Sequence, residues 1–264
     1  MRRPGRILTL TTDFGTADGY VGAMKGRVLS IAPGAVLCDV AHDIPPHEIA
    51  HGAWCLRRAA PQFPTGTVHV AVVDPGVGSN RAGIVIETEH MLLVGPDNGL
   101  LYLAAHDDGI RRIIEISEDA KEWYKSTSFD GLTLFAPVGA LLLAGMPLED
   151  VGPDAEDVVE WPDTTVAGQG NVVEGRIVLF DRFGNAMTDI PSEVLRHRIV
   201  ERVYLRNAQE LRYCDHYAEL AGDNRPGALI NSDGRLELSL YGDSAQARLG
   251  LHTGDPVRVL LRPA

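Results

Sequence analysis

The stretch Leu10-Thr-Thr-Asp13-Phe-Gly15 joins the end of an apolar run to a polar loop that contains glycine. Val73-Asp74-Pro-Gly-Val-Gly repeats this pattern further along the chain. Each apolar run predicts a buried strand, and the charged residue that follows it predicts a side chain at the rim of a sheet. Ligands bind at the carboxyl ends of strands in open α/β sheets. Asp13 and Asp74 are therefore candidate ligand-binding residues at one rim.

Strand and helix patterns alternate through residues 6–150. This alternation predicts an α/β domain whose largely parallel sheet is covered by helices on both faces. The predicted strands are 7–12, 35–40, 67–73, 83–87, 91–94 and 112–116, with 83–87 and 91–94 forming a hairpin. The predicted helices are 20–31, 48–58, 98–105 and 134–144.

The composition changes around residues 153–171, where acidic residues, proline and glycine accumulate. Short alternating runs separated by turn residues follow this region, which predicts a small all-β, barrel-like domain. The predicted runs are 172–180, 202–205, 211–214, 228–231, 235–240 and 256–261. We therefore expect an N-terminal α/β domain over 1–155 and a C-terminal barrel-like domain over 170–264.

Charge and composition exclude some classes of partner. The chain has 24 basic and 36 acidic residues, for a net charge of −12, which argues against nucleic acid and against an anionic membrane surface. It contains no apolar run of about 18 residues, the length needed for a transmembrane helix. Cys38, Cys55 and Cys214 are an odd number of cysteines far apart in sequence. They predict reduced thiols in a cytoplasmic protein.

His47-Glu48-Ile-Ala-His51 matches the H-E-x-x-H zinc pattern and falls on a predicted helix. Two histidines four residues apart on a helix can hold zinc, with Glu48 as the base of a peptidase. A third ligand is required, and neither the extended motif nor a downstream helical glutamate supplies one. We therefore expect no metal, and a zinc peptidase is kept as a remote alternative.

The glycine-rich loop from Gly76 to Arg81 precedes a strand, so it lacks the helix N-terminus that binds phosphate. Asp74 and Arg81 are close enough in sequence to form an ion pair across this loop. Asp130-Gly131 predicts the entry to a helix, and the segment from Gly95 to Leu100 predicts a structural turn. The segments 181–185 and 231–234 both have the composition of hairpin turns.

Taken in order along the chain, these motifs resemble the S-adenosyl-L-methionine hydroxide adenosyltransferases, relatives of the fluorinase and chlorinase. The resemblance rests on Thr-Asp13-Phe-Gly, Val-Asp74-Pro-Gly-Val-Gly-Ser-x-Arg81, Gly-Pro-Asp97-Asn-Gly-Leu-Leu, Phe135-Ala-Pro-Val, Phe183-Gly-Asn185 and Asn231-Ser232. It implies an N-terminal α/β domain, a C-terminal barrel-like domain, and a homotrimer with sites between subunits. It also implies that water displaces methionine at C5′ of S-adenosylmethionine, which gives adenosine without a cofactor.

The resemblance also implies roles for individual residues. Asp13 would bind both ribose hydroxyls, and Asp74 and Arg81 would position water. Asp181 and Ser232 would bind the methionine amino group, while Asn185 would bind adenine. Asp130 stands where the family has a histidine, and we include it with the catalytic residues. Asp233 replaces an arginine that contacts the substrate carboxylate in the fluorinase.

The substitution at Asp130 leaves a second interpretation open. A carboxylate adds negative charge and does not act as a neutral imidazole, so the protein is alternatively a non-catalytic or weakly active nucleoside-binding protein. Conversion of S-adenosylmethionine to adenosine distinguishes the two interpretations.

Overall fold

The computed structural model describes residues 6–117, 129–161, 167–206, 208–222 and 224–262. The chain divides into two compact units, Met1–Trp161 and Pro162–Ala264. The division falls between the two domain ranges expected from the sequence.

Within the described part of the first unit, six strands form one sheet in the order β2-β1-β3-β5-β4-β6. Strands β2, β1, β3 and β5 are parallel to one another, while β4 is antiparallel to both β5 and β6. The prediction of a largely parallel sheet with one hairpin is therefore confirmed. The strands are β1 Ile7–Thr12, β2 Val36–Ala41, β3 Val68–Val72, β4 Gly83–Thr88, β5 Leu92–Pro96 and β6 Ile110–Glu115.

Helices cover both faces of this sheet. They are α1 Tyr20–Ile31, α2 Ile49–Ala59, α3 Tyr102–Asp108 and α4 Ala136–Leu143, with short 3₁₀ turns at Ala60–Gln62 and Leu148–Asp150. Met24 and Val28 of α1 and Val138 of α4 belong to the core on one face. Leu56 of α2 and Ala104 of α3 belong to the core on the other face. The burial of helices on both faces is what an α/β sheet of this type requires.

A π-helical turn, Gly131–Phe135, leads directly into α4. The sequence predicted a helix over 134–144, whereas the helical segment begins three residues earlier, at Gly131. Pro137 explains the wide turn, because proline has no N–H and its ring would clash with the carbonyl four residues earlier in a regular α-helix. The backbone N–H of Ala136 instead donates to the carbonyl of Gly131, five residues back.

The described part of the second unit contains a closed barrel of seven strands. They pair in the order β14-β10-β11-β12-β13-β9-β8, and β14 also pairs with β8, which closes the ring. Ile177, Val203, Leu236 and Val259 are among the buried residues that fill it. The barrel-like prediction is confirmed, although the sequence missed β9. The strands are β7 Ala167–Gln169, β8 Val172–Phe180, β9 Ala186–Pro191, β10 Val200–Leu205, β11 Glu210–Tyr213, β12 Gly227–Ile230, β13 Arg235–Ser239 and β14 Pro256–Leu261.

In the described part of the second unit, three short helical segments accompany the barrel strands. Ser192–Val194 and Tyr217–Gly222 are 3₁₀ turns, and α5 spans Ala245–Leu249. Helix α5 was not predicted. It begins after Ser244, whose hydroxyl accepts a hydrogen bond from the backbone N–H of Ala247, and it ends at Gly250 with φ +62°. Both features are standard helix-capping devices.

Candidate active site

Three strand ends bring the predicted N-terminal residues to one edge of the sheet. Strands β1 and β3 are parallel neighbours, with Thr12 beside Val72. Asp13 follows β1 directly, and Asp74 lies two residues beyond β3. Strand β4 runs the opposite way and begins at this same edge, where Gly83 pairs with Pro96. The chain therefore leaves this edge of the sheet at Asp74 and returns to it at Arg81, just before β4.

Arg81 lies between two carboxylates. Its Nε is 3.0 Å from both carboxylate oxygens of Asp74, and its terminal nitrogen donates to Asp74 Oδ2 and to Asp130 Oδ2. The predicted ion pair across the loop is confirmed. The side chains of Asp74, Arg81 and Asp130 are 4%, 12% and 24% exposed. The cluster is thus shielded from bulk water but open on the side of Asp130.

The electrostatics of the cluster favour a permanently charged arginine. Burial by itself would lower the pKa of Arg81, but the hydrogen bonds and charges of Asp74 and Asp130 outweigh it and raise that pKa above its usual value. With both carboxylates ionised, the cluster has one negative charge in excess. A neutral or cationic reactant is favoured in this position over an anion.

The π-helical turn positions two members of the site. Asp130 lies directly before the turn, and Phe135 at its end places its ring centroid 5.2 Å from Arg81 Cζ. A Cβ atom added to Gly131 would lie 2.9 Å from the Phe129 ring and 3.2 Å from the Phe14 ring. A larger residue at position 131 would therefore displace the backbone that presents Asp130. The sequence indicated a helix entry here but gave no signal for the turn.

Asp13 and its neighbours are held in place by contacts from residues 42–47. Its Oδ2 accepts a hydrogen bond from the backbone N–H of His47 at 2.9 Å. The Thr12 hydroxyl lies 2.8 Å from His42 Nδ1, and the backbone N–H of Gly15 donates to the carbonyl of His42 at 2.8 Å. Residues 42–47 therefore hold the loop from both sides of Asp13, with the carboxylate half-exposed.

The H-E-x-x-H pattern does not lie on one helix. His47 has a left-handed backbone with φ +70°, and α2 begins only at Ile49. His47 and His51 therefore lack the spacing of two helical residues one turn apart that the zinc motif requires, and the expectation of a helical pair was wrong. Among the residues described, no group of three or more potential ligands is placed to hold a metal ion.

In the barrel, Asp181 and Asn185 form one compact turn. Asp181 Oδ1 accepts the backbone N–H groups of Phe183 and Asn185, both at 2.9 Å, and its Oδ2 accepts the Asn185 side-chain amide at 2.8 Å. Gly184 has φ +80°, which this tight turn needs. Asn185 Oδ1 is buried without a hydrogen-bond partner in the described structure. Buried acceptors are normally hydrogen-bonded, so Asn185 Oδ1 is an exception.

Ser232 lies at the other end of the same strand pair. Strands β9 and β13 are antiparallel, with Ala186 beside Leu238 and Pro191 beside Arg235. Asp181 is next to the start of β9, whereas Ser232 precedes β13 near the end of β9. Five residues of strand, about 17 Å, therefore separate the two ends. Asp181 and Ser232 therefore lie at opposite ends of the β9–β13 pair.

Asp97 and Asn98 contact the loop that carries Asp74 and Arg81, which the sequence did not indicate. The Asn98 side chain donates to the carbonyl of Val73 at 2.9 Å, and the Asp97 backbone N–H donates to the carbonyl of Ala82 at 2.9 Å. They therefore contact the backbone on each side of the Asp74–Arg81 loop. The predicted structural turn is confirmed, but its sequence gave no sign of these two contacts.

The comparisons with known proteins agree with this geometry. Residues 8–152 match the SAM hydroxide adenosyltransferase N-terminal domain, and residues 175–258 match the C-terminal domain of the same name. This chain belongs to the SAM hydroxide adenosyltransferase family. The matched ranges include Asp13, Asp74, Arg81 and Asp130 in the first unit and Asp181, Asn185 and Ser232 in the second.

Relatives and solved structures resemble this family member over nearly its full length. The (R)-S-adenosyl-L-methionine hydrolase of Methanocaldococcus jannaschii is 38% identical, covering 96% of this chain and 95% of the relative. The fluorinase of Actinopolyspora mzabensis is 26% identical, covering 96% of each. The crystal structure of a conserved Thermotoga maritima protein superposes with a TM-score of 0.85 at 31% identity, covering 96% of this chain and 99% of that one.

Proposed function

We propose that this protein is an S-adenosyl-L-methionine hydrolase that releases adenosine and L-methionine. The observation that carries the proposal is the Asp74–Arg81–Asp130 cluster, shielded at the same sheet edge as Asp13. Family membership and hydrolase relatives at 34–38% identity support the reaction. The reaction needs only the substrate and water, so we propose no cofactor.

In the proposed mechanism, the oxygen of water attacks C5′ of the nucleoside while the C5′–S bond breaks. The bonding electron pair goes to sulfur, which converts the cationic sulfonium into the neutral thioether of methionine. The leaving group therefore needs no acid, and the proton lost by water goes to solvent. Asp13 binds the two ribose hydroxyls, because a carboxylate accepts both as charge-assisted hydrogen bonds.

Asp74, Arg81 and Asp130 position the water in this mechanism. A weak nucleophile gains most from being held in line with the bond that breaks. Asp74 and Asp130 accept hydrogen bonds from water. Arg81 holds both carboxylates in place through its hydrogen bonds to them. The excess negative charge of the cluster disfavours chloride or fluoride as the nucleophile. We therefore propose water as the nucleophile and not a halide.

The barrel residues fit an extended substrate. We propose that Asn185 binds the adenine amino group, since its buried Oδ1 has no partner within the described structure. We propose that Asp181 binds the methionine ammonium, and that Ser232 contacts a more distant part of the methionine moiety. The family resemblance further supports a homotrimer with sites between subunits. Cys38, Cys55 and Cys214 form no disulfide, which supports our proposal of a cytoplasmic location.

A second candidate function is nucleoside binding with little or no turnover. The observation that favours it is that Asp130 is bound to Arg81, where the family has a histidine. In this case adenosine would bind through Asp13, but no water would be activated.

The test is incubation of the purified protein with each sulfonium epimer of S-adenosylmethionine, with and without added chloride. Products are identified by mass spectrometry. The hydrolase proposal predicts adenosine and methionine in both buffers and no 5′-chloro-5′-deoxyadenosine. Measurable adenosine binding without turnover of either epimer would support the binding protein instead.

A further inference from the structure

The order of strands in the sheet places the turn that follows β5 between the end of β3, which leads to Asp74, and the start of β4, which follows Arg81. Strand β5 lies between β3 and β4. The loop that carries Asp74 and Arg81 leaves the sheet at the end of β3 and returns at the start of β4. It therefore crosses over the end of β5, and the residues that follow β5 lie beneath it.

Those residues contact both ends of the loop. Asn98 Nδ2 donates to the carbonyl of Val73, the residue before Asp74, at 2.9 Å. The Asp97 backbone N–H donates to the carbonyl of Ala82, the residue after Arg81, at 2.9 Å. The two hydrogen bonds fix the distance between the ends of the loop. They thereby fix the backbone positions from which the Asp74 and Arg81 side chains reach each other.

The Asn98 side chain is itself held in one orientation. Its Oδ1 accepts the backbone N–H of Leu100 at 3.2 Å, so its amide nitrogen must face Val73. Gly99 supplies the left-handed backbone of the turn, with φ +90°. An amide is the required group here, because it donates on one side and accepts on the other. A carboxylate would accept on both sides and would repel the Val73 carbonyl.

We propose that Asn98 is a positioning residue for Asp74 and Arg81. The inference rests on the proposed hydrolase function, because its readout is the turnover of S-adenosylmethionine. The Asn98 side chain hydrogen-bonds to Val73 and Leu100, whereas the Asp13 carboxylate accepts the backbone N–H of His47. Loss of Asn98 should therefore lower kcat and leave KM nearly unchanged.

The experiment compares Asn98→Ala and Asn98→Asp with Thr88→Val as a matched control. Thr88 is buried in β4 at the end far from the loop, and its hydroxyl bonds to the Met91 carbonyl and to Asp108. Its replacement therefore removes buried hydrogen bonds from the same hairpin without touching the site. Displacement of aligned groups by about 1 Å can cost about 10²-fold in rate. We expect a loss of kcat of roughly 10- to 100-fold for both Asn98 variants and a near-normal kcat for Thr88→Val.

A double substitution tests whether Asn98 acts through Asp74. If it does, Asn98→Ala should add little to the loss already caused by Asp74→Asn. The inference is overturned if Asn98→Ala retains wild-type kcat, if KM changes as much as kcat, or if Thr88→Val loses as much activity. Absence of adenosine with the wild-type protein would overturn the hydrolase proposal and this inference together. Wild-type turnover with an unaffected Asn98→Ala variant would overturn this inference alone.

Discussion

Arg81 is bound by two carboxylates that approach it from different elements. Asp74 comes from the loop after β3, whereas Asp130 comes from the start of the π-helical turn. The arginine neutralises one carboxylate charge and leaves the other available to orient a dipole such as water. A neutral histidine at position 130 would give the cluster a different net charge, because Asp74 would then be the only carboxylate bound to Arg81.

Substitutions at these two carboxylates should separate their roles. Asp74→Asn removes a charge-assisted contact to the nucleophile and should lower kcat by at least about tenfold while KM changes little. Asp130→His restores the family residue and should retain or raise kcat, whereas Asp130→Ala should lower it. Steady-state adenosine release between pH 6 and 9 measures all three. An Asp74→Asn enzyme as fast as the wild type would exclude Asp74 from water positioning.

Asp13 provides a prediction that does not depend on turnover. Asp13→Ala should weaken adenosine binding by about 2–4 kcal/mol, because two hydrogen bonds to a charged group are lost. Asp18→Ala is a suitable control, since Asp18 is an exposed carboxylate in the same loop. Isothermal calorimetry gives both affinities. Equal adenosine affinity in the wild type and Asp13→Ala would remove Asp13 from the nucleoside site.

Strands β1 and β3 contain a buried polar pair that links stability to pH. His69 is fully buried, and its Nδ1 lies 2.8 Å from the Thr9 hydroxyl on the adjacent strand. Burial lowers the pKa of His69 from 6.5 to about 4. Between these values the unfolded chain binds a proton that the folded protein does not bind. The free energy of unfolding should therefore rise with pH from about 4 to 6.5 and then level off.

A pKa shift of this size corresponds to a change of about 3 kcal/mol in the free energy of unfolding. His69→Asn can keep a hydrogen bond to Thr9 but does not titrate, so its stability should depend less on pH in this window. Urea unfolding at pH 4.5, 5.5 and 7, followed by tryptophan fluorescence, measures the difference. All three tryptophans fall within residues 1–161, so the signal reports on the first unit. Identical pH dependence in the two proteins would show that His69 does not cause the effect.

Local sequence patterns predicted elements well where one physical signal dominated. The bounds of β1, α1, β8 and β14 agree with the predicted 7–12, 20–31, 172–180 and 256–261. Helix α3 was placed too early, because Asn98 to Leu101 form the turn beneath the loop that carries Asp74 and Arg81 and not the first helical turn. The role of Asn98 depends on β5 lying between β3 and β4, and this order is not encoded in any local pattern.

At the scale of the whole molecule, family membership predicts an assembly. The chain has a mass of 28.5 kDa, and a homotrimer would have three times that mass. Size-exclusion chromatography with light scattering at micromolar concentration should give the trimer mass with and without adenosine. A monomer that nevertheless hydrolyses S-adenosylmethionine at full rate would contradict the proposal that sites form between subunits.

The motifs at Asp13 and Asp74 located the candidate site because each of these residues follows a strand end, and parallel strand ends meet at one edge. The contact of Asp130 with Arg81 could not be predicted in the same way, because it depends on the π-helical turn that Pro137 imposes. The separation of Ser232 from Asp181 depends on the β9–β13 register, and β9 was absent from the prediction. Roles carried over from a family therefore need the register of the chain in hand.

The central claim is that water attacks C5′ of the nucleoside, and isotope incorporation tests it most directly. The wild-type protein is incubated with S-adenosylmethionine in H₂¹⁸O, and both products are examined by mass spectrometry. The account predicts one ¹⁸O atom in adenosine, at the 5′-hydroxyl, and none in methionine. Adenosine without ¹⁸O, or label in the methionine fragment, would contradict displacement at C5′ by water.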